Sequence, residues 1–240
     1  MTTRIDQLKV KIFADGADKK GMLDLYKHPA IKGFTTNPTL MKQAGVTDYE
    51  AFCKEIVQAI PDRPLSFEVF SDDLEDMDRQ ARKITTWGKN VYVKIPITNT
   101  KRESALPLVR ELAHSGVKLN VTAICTLEQV AGTTEALKGG APSVVSVFAG
   151  RIADTGRDPI PLMAAARELC AAAGKDVELL WASPRELLNI VQAEQVGAAI
   201  VTVTPDLLKK LDLIGKDLAQ FSLETVQMFY NDAQAAGFKL

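Results

Sequence analysis

The sequence predicts an α/β protein, a single (β/α)8 barrel with an additional C-terminal helix. Short β-branched runs alternate with amphipathic helical stretches from end to end, the pattern of parallel strands joined by crossover helices. The strand runs number about eight, the count that closes a barrel. No G-x-G-x-x-G and no Walker loop accompanies them, which weakens the open nucleotide-binding alternative.

The elements follow in order. The first strand run is 9-KVKIFADG-16, and the helical stretch 17–29 follows it. The second run, 33-GFTTNP-38, leads to a helix over 48–60. The third, 65-LSFEVF-70, is followed by a helix over 72–87 whose N-cap is read at Asp72. The fourth, 91-VYVKIPI-97, precedes a helix over 103–116, and the fifth, 118-KLNVTAIC-125, one over 126–140. The sixth, 143-SVVSVFAG-150, precedes a helix over 160–174. After the seventh, 177-VELLWAS-183, a helix is expected from Pro184 to 197, with Ser183 as its cap and proline at the first helical position. The eighth run is 198-AAIVTVT-204. Each helical stretch repeats apolar residues at three- to four-residue spacing. The tail 221-FSLETVQMFYNDAQAAGFKL-240 reads as an amphipathic helix over about 221–237. Its Phe229, Tyr230 and Phe238 either cap the barrel, the preferred reading, or pack on a neighbouring subunit. No linker or low-complexity run divides the chain, so one domain over 1–240 is expected.

Net charge is −1 without a strongly basic face, which speaks against nucleic acid and anionic membranes as partners. Cys53, Cys125 and Cys170 form no CxxC and sit among apolar residues, so they read as buried thiols in a reducing compartment. The N-terminus has no apolar signal core, and no apolar run approaches the roughly 20 residues of a membrane span. A cytoplasmic protein is expected. His28 and His114 lack a second ligand nearby in sequence and read as surface helix residues. A His-based metal site or a Ser/His/Asp triad has little support.

One residue breaks the strand pattern. Lys94 stands in the middle of 91-VYVKIPIT-98. In a barrel the C-terminal ends of the strands surround the active site. Polar residues collect at those ends: Asp15, Thr35 to Asn37, Glu68, Lys94, Asn120, Thr122, Ser146, Arg151, Ser183 and Arg185. Burial disfavours the charged form of an amine, and a neutral amine facing a ketone or aldehyde condenses to a Schiff base. The structural alternative is an ion pair between Lys94 and Asp15 or Glu68. Asp15 and Glu68 are candidate proton shuttles for the carbinolamine and for the hydroxyl beside a breaking C–C bond. Otherwise Asp15 is a helix cap, with Asp18 its rival, and Glu68 only holds the lysine charge. Thr122 either holds a catalytic water or packs as a strand threonine. Arg151 and Arg185, with Ser183, suggest an anion site of forked guanidinium donors; surface ion pairs are the alternative.

With these residues placed, the chain resembles the transaldolase family, nearer its short members, which include the fructose-6-phosphate aldolases. The resemblance covers nearly the whole chain. It rests on 11-KIFADGAD-18, 35-TTNP-38, 91-VYVKIPIT-98, 120-NVTAIC-125, 146-SVFAGRI-152 and 182-ASPRE-186. It implies that Lys94 is the Schiff-base lysine and Asp15 the acid/base of C–C cleavage. It implies that Glu68 and Thr122 hold the catalytic water, and that Asn37, Asn120 and Ser146 bind dihydroxyacetone hydroxyls. Arg151, Ser183 and Arg185 match the phosphate-binding set, and Thr35 belongs to the matched TTNP block. Glu68 with Phe148 is similar to true transaldolases, where the fructose-6-phosphate aldolases have Gln and Tyr. Pro184 departs from the phenylalanine common at that place, which leaves the acceptor open to another phosphosugar or a sulfonated sugar. The implied activity is transfer of a dihydroxyacetone unit between sugar phosphates, with no metal or organic cofactor, in a homo-oligomer. The alternatives are an aldolase releasing free dihydroxyacetone, a phosphosugar isomerase or epimerase, and a non-catalytic barrel that binds sugar phosphates.

Overall fold

A computed structural model describes residues 7–239. The chain runs through β1 (Lys11–Asp15), α1 (Lys19–Tyr26), β2 (Ile31–Thr35), α2 (Pro38–Gln43), α3 (Tyr49–Ala59), β3 (Leu65–Glu68) and α4 (Leu74–Thr85). It continues through β4 (Val91–Pro96), α5 (Leu106–His114), β5 (Leu119–Ile124), α6 (Leu127–Leu137), β6 (Ser143–Val147) and α7 (Ala149–Ala153). It ends with α8 (Ile160–Ala173), β7 (Val177–Trp181), α9 (Leu188–Gln195), β8 (Ile200–Val203), α10 (Pro205–Leu208), a 3₁₀ turn at Leu211–Leu213 and α11 (Leu218–Ala236). The eight strands are parallel and close in chain order, β8 returning to β1 with Lys11 opposite Ile200. The (β/α)8 barrel with its C-terminal helix is therefore the observed fold. The expected N-terminal reading and the domain limits at 1 and 240 fall on residues 1–6 and 240, outside the described residues.

Strand alternation builds two apolar layers. In β4, Val91, Val93 and Ile95 are buried in the main core with the helix-side residues Ile56, Ile84 and Leu112. The alternate residue Tyr92 joins a separate cluster with Phe13, Val144, Leu180 and Ile200, which fills the lower lumen. Gly33 makes room for it, since a Cβ there would lie 2.6 Å from the Phe13 ring. Lys94 is two residues beyond Tyr92, on the same lumen-facing side, one layer higher. The period of two resolves the oddity of a lysine among Val and Ile: the apolar residues point out to the helices, and the lysine points in.

Several local expectations change. The α4 cap is Asp73, which accepts from the Asp76 N–H at 2.8 Å, and not Asp72. Asp72 instead accepts from the Thr100 N–H and hydroxyl at 2.8 and 2.6 Å. No helix opens at Pro184. Ser183 is left-handed at φ 62°, and the Arg185 and Glu186 N–H groups are taken by the Asn189 side chain, so α9 starts only at Leu188. His114 ends α5, but His28 lies in the loop after α1. Cys53 and Cys170 are buried as expected, whereas Cys125 is exposed at the end of β5. The cap reading of the tail also fails within one chain. Phe229, Tyr230 and Phe238 are 64%, 64% and 80% exposed, and no residue of α11 is buried. Among the described residues, the large apolar side chains of this helix stay exposed and are not packed into the barrel core.

Candidate active site

Register brings the candidate residues together. Glu68 lies opposite Lys94 across β3 and β4, Lys94 opposite Asn120, and Pro96 opposite Thr122. Asp15 lies opposite Thr35 across β1 and β2. These positions are at the C-terminal ends of their strands, and Asp15, Thr35, Glu68, Lys94, Asn120 and Thr122 line a cavity of about 420 Å³. Asn37, Ser146, Phe148, Arg151 and Ser183 also belong to its wall. Of the residues expected at the site, Arg185 alone stands outside the wall.

Lys94 is 7% exposed. Its Nζ donates to the Thr36 carbonyl at 2.6 Å and lies 3.0 Å from Glu68 Oε2. The carboxylate and the carbonyl offset the cost of removing an ammonium from water. The ion pair read as the structural alternative is thus present, and it gives the lysine a proton acceptor within reach.

Asp15 is the second carboxyl whose field reaches the lysine. Burial raises its carboxyl above the ordinary range, opposed by the Lys94 charge and by the Thr35 hydroxyl, while Glu68 adds to the rise. Thr35 Oγ1 donates to Asp15 Oδ1 at 2.7 Å. Thr35 has one hydroxyl proton, so the Thr202 hydroxyl, 2.5 Å behind it, donates to Thr35 in turn. Asp15 is not a helix cap; Asp18 takes that role by accepting from the Gly21 N–H at 2.7 Å.

On the opposite wall Ser146 Oγ donates to Asn120 Oδ1 at 2.6 Å, and Asn120 Nδ2 donates to Ser66 Oγ at 3.1 Å. Asn37 Oδ1 caps α2 by accepting from Leu40, which leaves its amide donors toward the cavity it lines. Thr122 Oγ1 is buried with no hydrogen-bond partner among the described residues. An orphaned hydroxyl on a cavity wall is a place for a water or a substrate oxygen.

The residues expected to bind an anion gather around α7. The Arg151 guanidinium lies over the Phe148 ring, 5.9 Å from its centroid. Gly150 lets the Ser183 loop rest directly on this helix, because a Cβ there would come within 1.5 Å of the Ser183 carbonyl oxygen. Arg185, expected as a third anion ligand, is instead clamped by Asp154: Nε donates at 2.9 Å and an Nη at 2.5 Å. The Asp154 carboxyl is held below its ordinary range by that pairing.

Thr202, Ala123 and Gln43 also line the cavity, and the sequence reading did not single them out. Thr202 carries a faint signal, as the polar member of 200-IVTV-203. Ala123 is left-handed at φ 62°, which no sequence pattern marks. Among the described residues no cluster of three or more His, Cys, Asp or Glu side chains could hold a metal ion. No described helix is long and apolar enough to cross a membrane.

An amine held against a carboxylate, beside a carboxyl of raised pKa and a ring of hydroxyl and amide donors, is equipped for imine formation and proton transfer. The family described as Transaldolase/Fructose-6-phosphate aldolase matches residues 12–240. A probable transaldolase of Methanococcus maripaludis is 36% identical over 202 residues, covering 84% of this chain and 89% of the relative. A probable transaldolase of Dehalococcoides mccartyi is 34% identical over 194 residues, covering 81% and 86%. One from Streptococcus agalactiae is 36% identical over 197 residues, covering 82% and 86%. Among solved structures, 3-hexulose-6-phosphate synthase from Salmonella typhimurium superposes with a TM-score of 0.54 at 15% identity, over 81% of this chain and 89% of the other, a likeness of fold alone.

Proposed function

Because this chain belongs to the transaldolase/fructose-6-phosphate aldolase family, we propose that it is a Schiff-base transaldolase acting on sugar phosphates. The observation that carries the reading is the Lys94 ammonium, buried at the barrel mouth between Glu68 and the Thr36 carbonyl. Lys94 gives a proton to Glu68 and attacks the ketone carbon of a ketose phosphate. The carbinolamine loses water to form the imine, with Glu68 and the Thr122 hydroxyl handling that water. Asp15 takes the proton from the hydroxyl beside the bond to be broken. The C–C bond cleaves, its electrons pass into the iminium, and an aldose phosphate leaves. Lys94 keeps a three-carbon enamine. The enamine carbon attacks the aldehyde of an acceptor, Asp15 returns the proton to the new hydroxyl, and hydrolysis frees the lysine.

Asn37, Asn120 and Ser146 supply donors and acceptors for the hydroxyls of the three-carbon unit. Thr35 holds Asp15. Arg151 and Ser183 form the anion end, and Arg185 joins them only if it exchanges Asp154 for phosphate. Phe148 puts an apolar ring where a hydroxyl would help water reach the enamine, which favours transfer over release. The chain acts as one domain and assembles with copies of itself.

The test is borohydride reduction with fructose 6-phosphate, followed by peptide mass mapping. A reduced three-carbon adduct on Lys94, absent from Lys94→Ala, is expected. Free dihydroxyacetone accumulating without an acceptor would instead make the protein an aldolase. Ketose cleavage by Lys94→Ala would end the Schiff-base reading.

A further inference from the structure

The third strand reaches the site almost unsupported on one side. β2 and β3 pair at only two positions, Phe34 with Leu65 and Thr35 with Ser66. The last bond between them runs from the Thr36 N–H to the Ser66 carbonyl at 3.1 Å. The chain then turns away at Asn37 to begin α2. Backbone groups alternate sides along a strand, so Glu68, two residues beyond Ser66, directs its N–H and C=O toward the missing partner. A phenol fills the gap. Tyr49 donates its hydroxyl to the Glu68 carbonyl at 2.8 Å and accepts from the Glu68 N–H at 2.9 Å. One oxygen thereby replaces a strand residue on both bonds.

We propose that Tyr49 is a positioning residue for the reaction: its phenol pins the Glu68 peptide and so sets the Glu68 carboxylate against Lys94. The proposal rests on the Schiff-base reading of Lys94 and Glu68. Tyr49 is the first residue of α3 and is itself firmly held. Its ring meets Phe70 edge-on at 5.3 Å between centroids and Trp87 at 6.1 Å. Asp48 caps the same turn by accepting from the Ala51 N–H at 2.9 Å. Burial pushes the phenol far above its ordinary range, so it keeps the proton that it donates. On the other side of Glu68 the ladder to β4 is intact, with the Val69 N–H bonded to the Lys94 carbonyl at 3.1 Å. The peptide that carries the carboxylate is therefore fixed by β4 on one side and by a single side chain on the other. Misplacing a reacting group by an ångström can cost about a hundredfold in rate.

Tyr49→Phe in the full-length protein deletes one oxygen and keeps the ring contacts. Time-resolved borohydride trapping with fructose 6-phosphate should show adduct formation on Lys94 slowed about tenfold or more, with KM for the ketose little changed. Hydrogen exchange of the peptide spanning Glu68 should speed up by a similar factor. Added to Glu68→Gln, the same change should slow trapping far less than it does in the wild type. Phe70→Leu thins the same aromatic cluster but leaves the phenol, and should stay within about threefold of wild type. Trapping within twofold of wild type, unchanged exchange at Glu68, or an equal loss in Phe70→Leu would overturn the assignment. If the wild type itself forms no adduct, the Schiff-base reading fails; unchanged exchange in Tyr49→Phe sinks the phenol clamp alone.

Discussion

Asp15 is where a single residue makes the chemistry and the stability pull in opposite directions. Its carboxyl is raised from an ordinary 3.8, chiefly by burial. Between the ordinary and the raised value the folded protein holds more protons on Asp15 than the unfolded chain does. Stability contributed by this group therefore falls as pH rises through that window. Once ionised, Asp15 is a buried carboxylate that costs stability. Asp15→Asn is expected to raise Tm at pH 7, by about 2–4 °C for each kcal/mol of desolvation relieved, while turnover drops about 10²- to 10⁴-fold. Calorimetry and a transfer assay on the same preparation check both. A lower Tm would mean that the attraction between ionised Asp15 and Lys94 outweighs burial. The wild-type rate should also fall at acid pH through a pKa above 3.8, a limb absent from Asp15→Asn.

At the scale of elements, the contact between α7 and the loop after β7 sets the geometry of the proposed anion end. Gly150 permits it: its N–H donates to the Ala182 carbonyl at 3.3 Å, and any Cβ would strike the Ser183 carbonyl. Gly150→Ala should push the loop away and separate Ser183 from Arg151, at a cost of about 1–3 kcal/mol in stability. KM for a phosphorylated acceptor should rise about tenfold or more, while a dephosphorylated aldose is used as poorly as before. Equal losses for both acceptors would place the damage at Lys94 and not at the anion end. Neither α7 nor α2 was legible in the sequence, because helices of five and six residues are too short to show a period of 3.6. The helix expected at Pro184 went the other way. Its cap and proline signal was real in form, but Asn189, in the first turn of α9, accepts from the same N–H groups and holds the segment before it as a loop.

For the whole molecule, α11 is the unresolved surface. Leu218, Phe221, Val226 and Phe229 leave apolar area that a lone chain exposes to water. The proposed assembly with further copies would remove it from water. Sedimentation velocity should give a particle well above the 26.1 kDa of one chain, and Val226→Asp with Phe229→Asp should shift it toward that mass. A wild-type monomer would refute the assembly.

The sequence by itself determined the barrel. The count of strands, their alternation with helices and the polar residues at their C-terminal ends are local patterns, set by the periods of strand and helix. It also named Lys94, Asp15 and Glu68, because charge inside an apolar run is visible without coordinates. Only the tertiary structure decided which groups meet. Glu68 was paired with Lys94 by strand register, and Thr202 was brought to Thr35 across 167 residues. Arg185 was drawn off by Asp154, and Tyr49 was set against the Glu68 peptide from a neighbouring helix. Such pairings depend on packing between distant segments, and the spacing of residues along one strand carries no record of them.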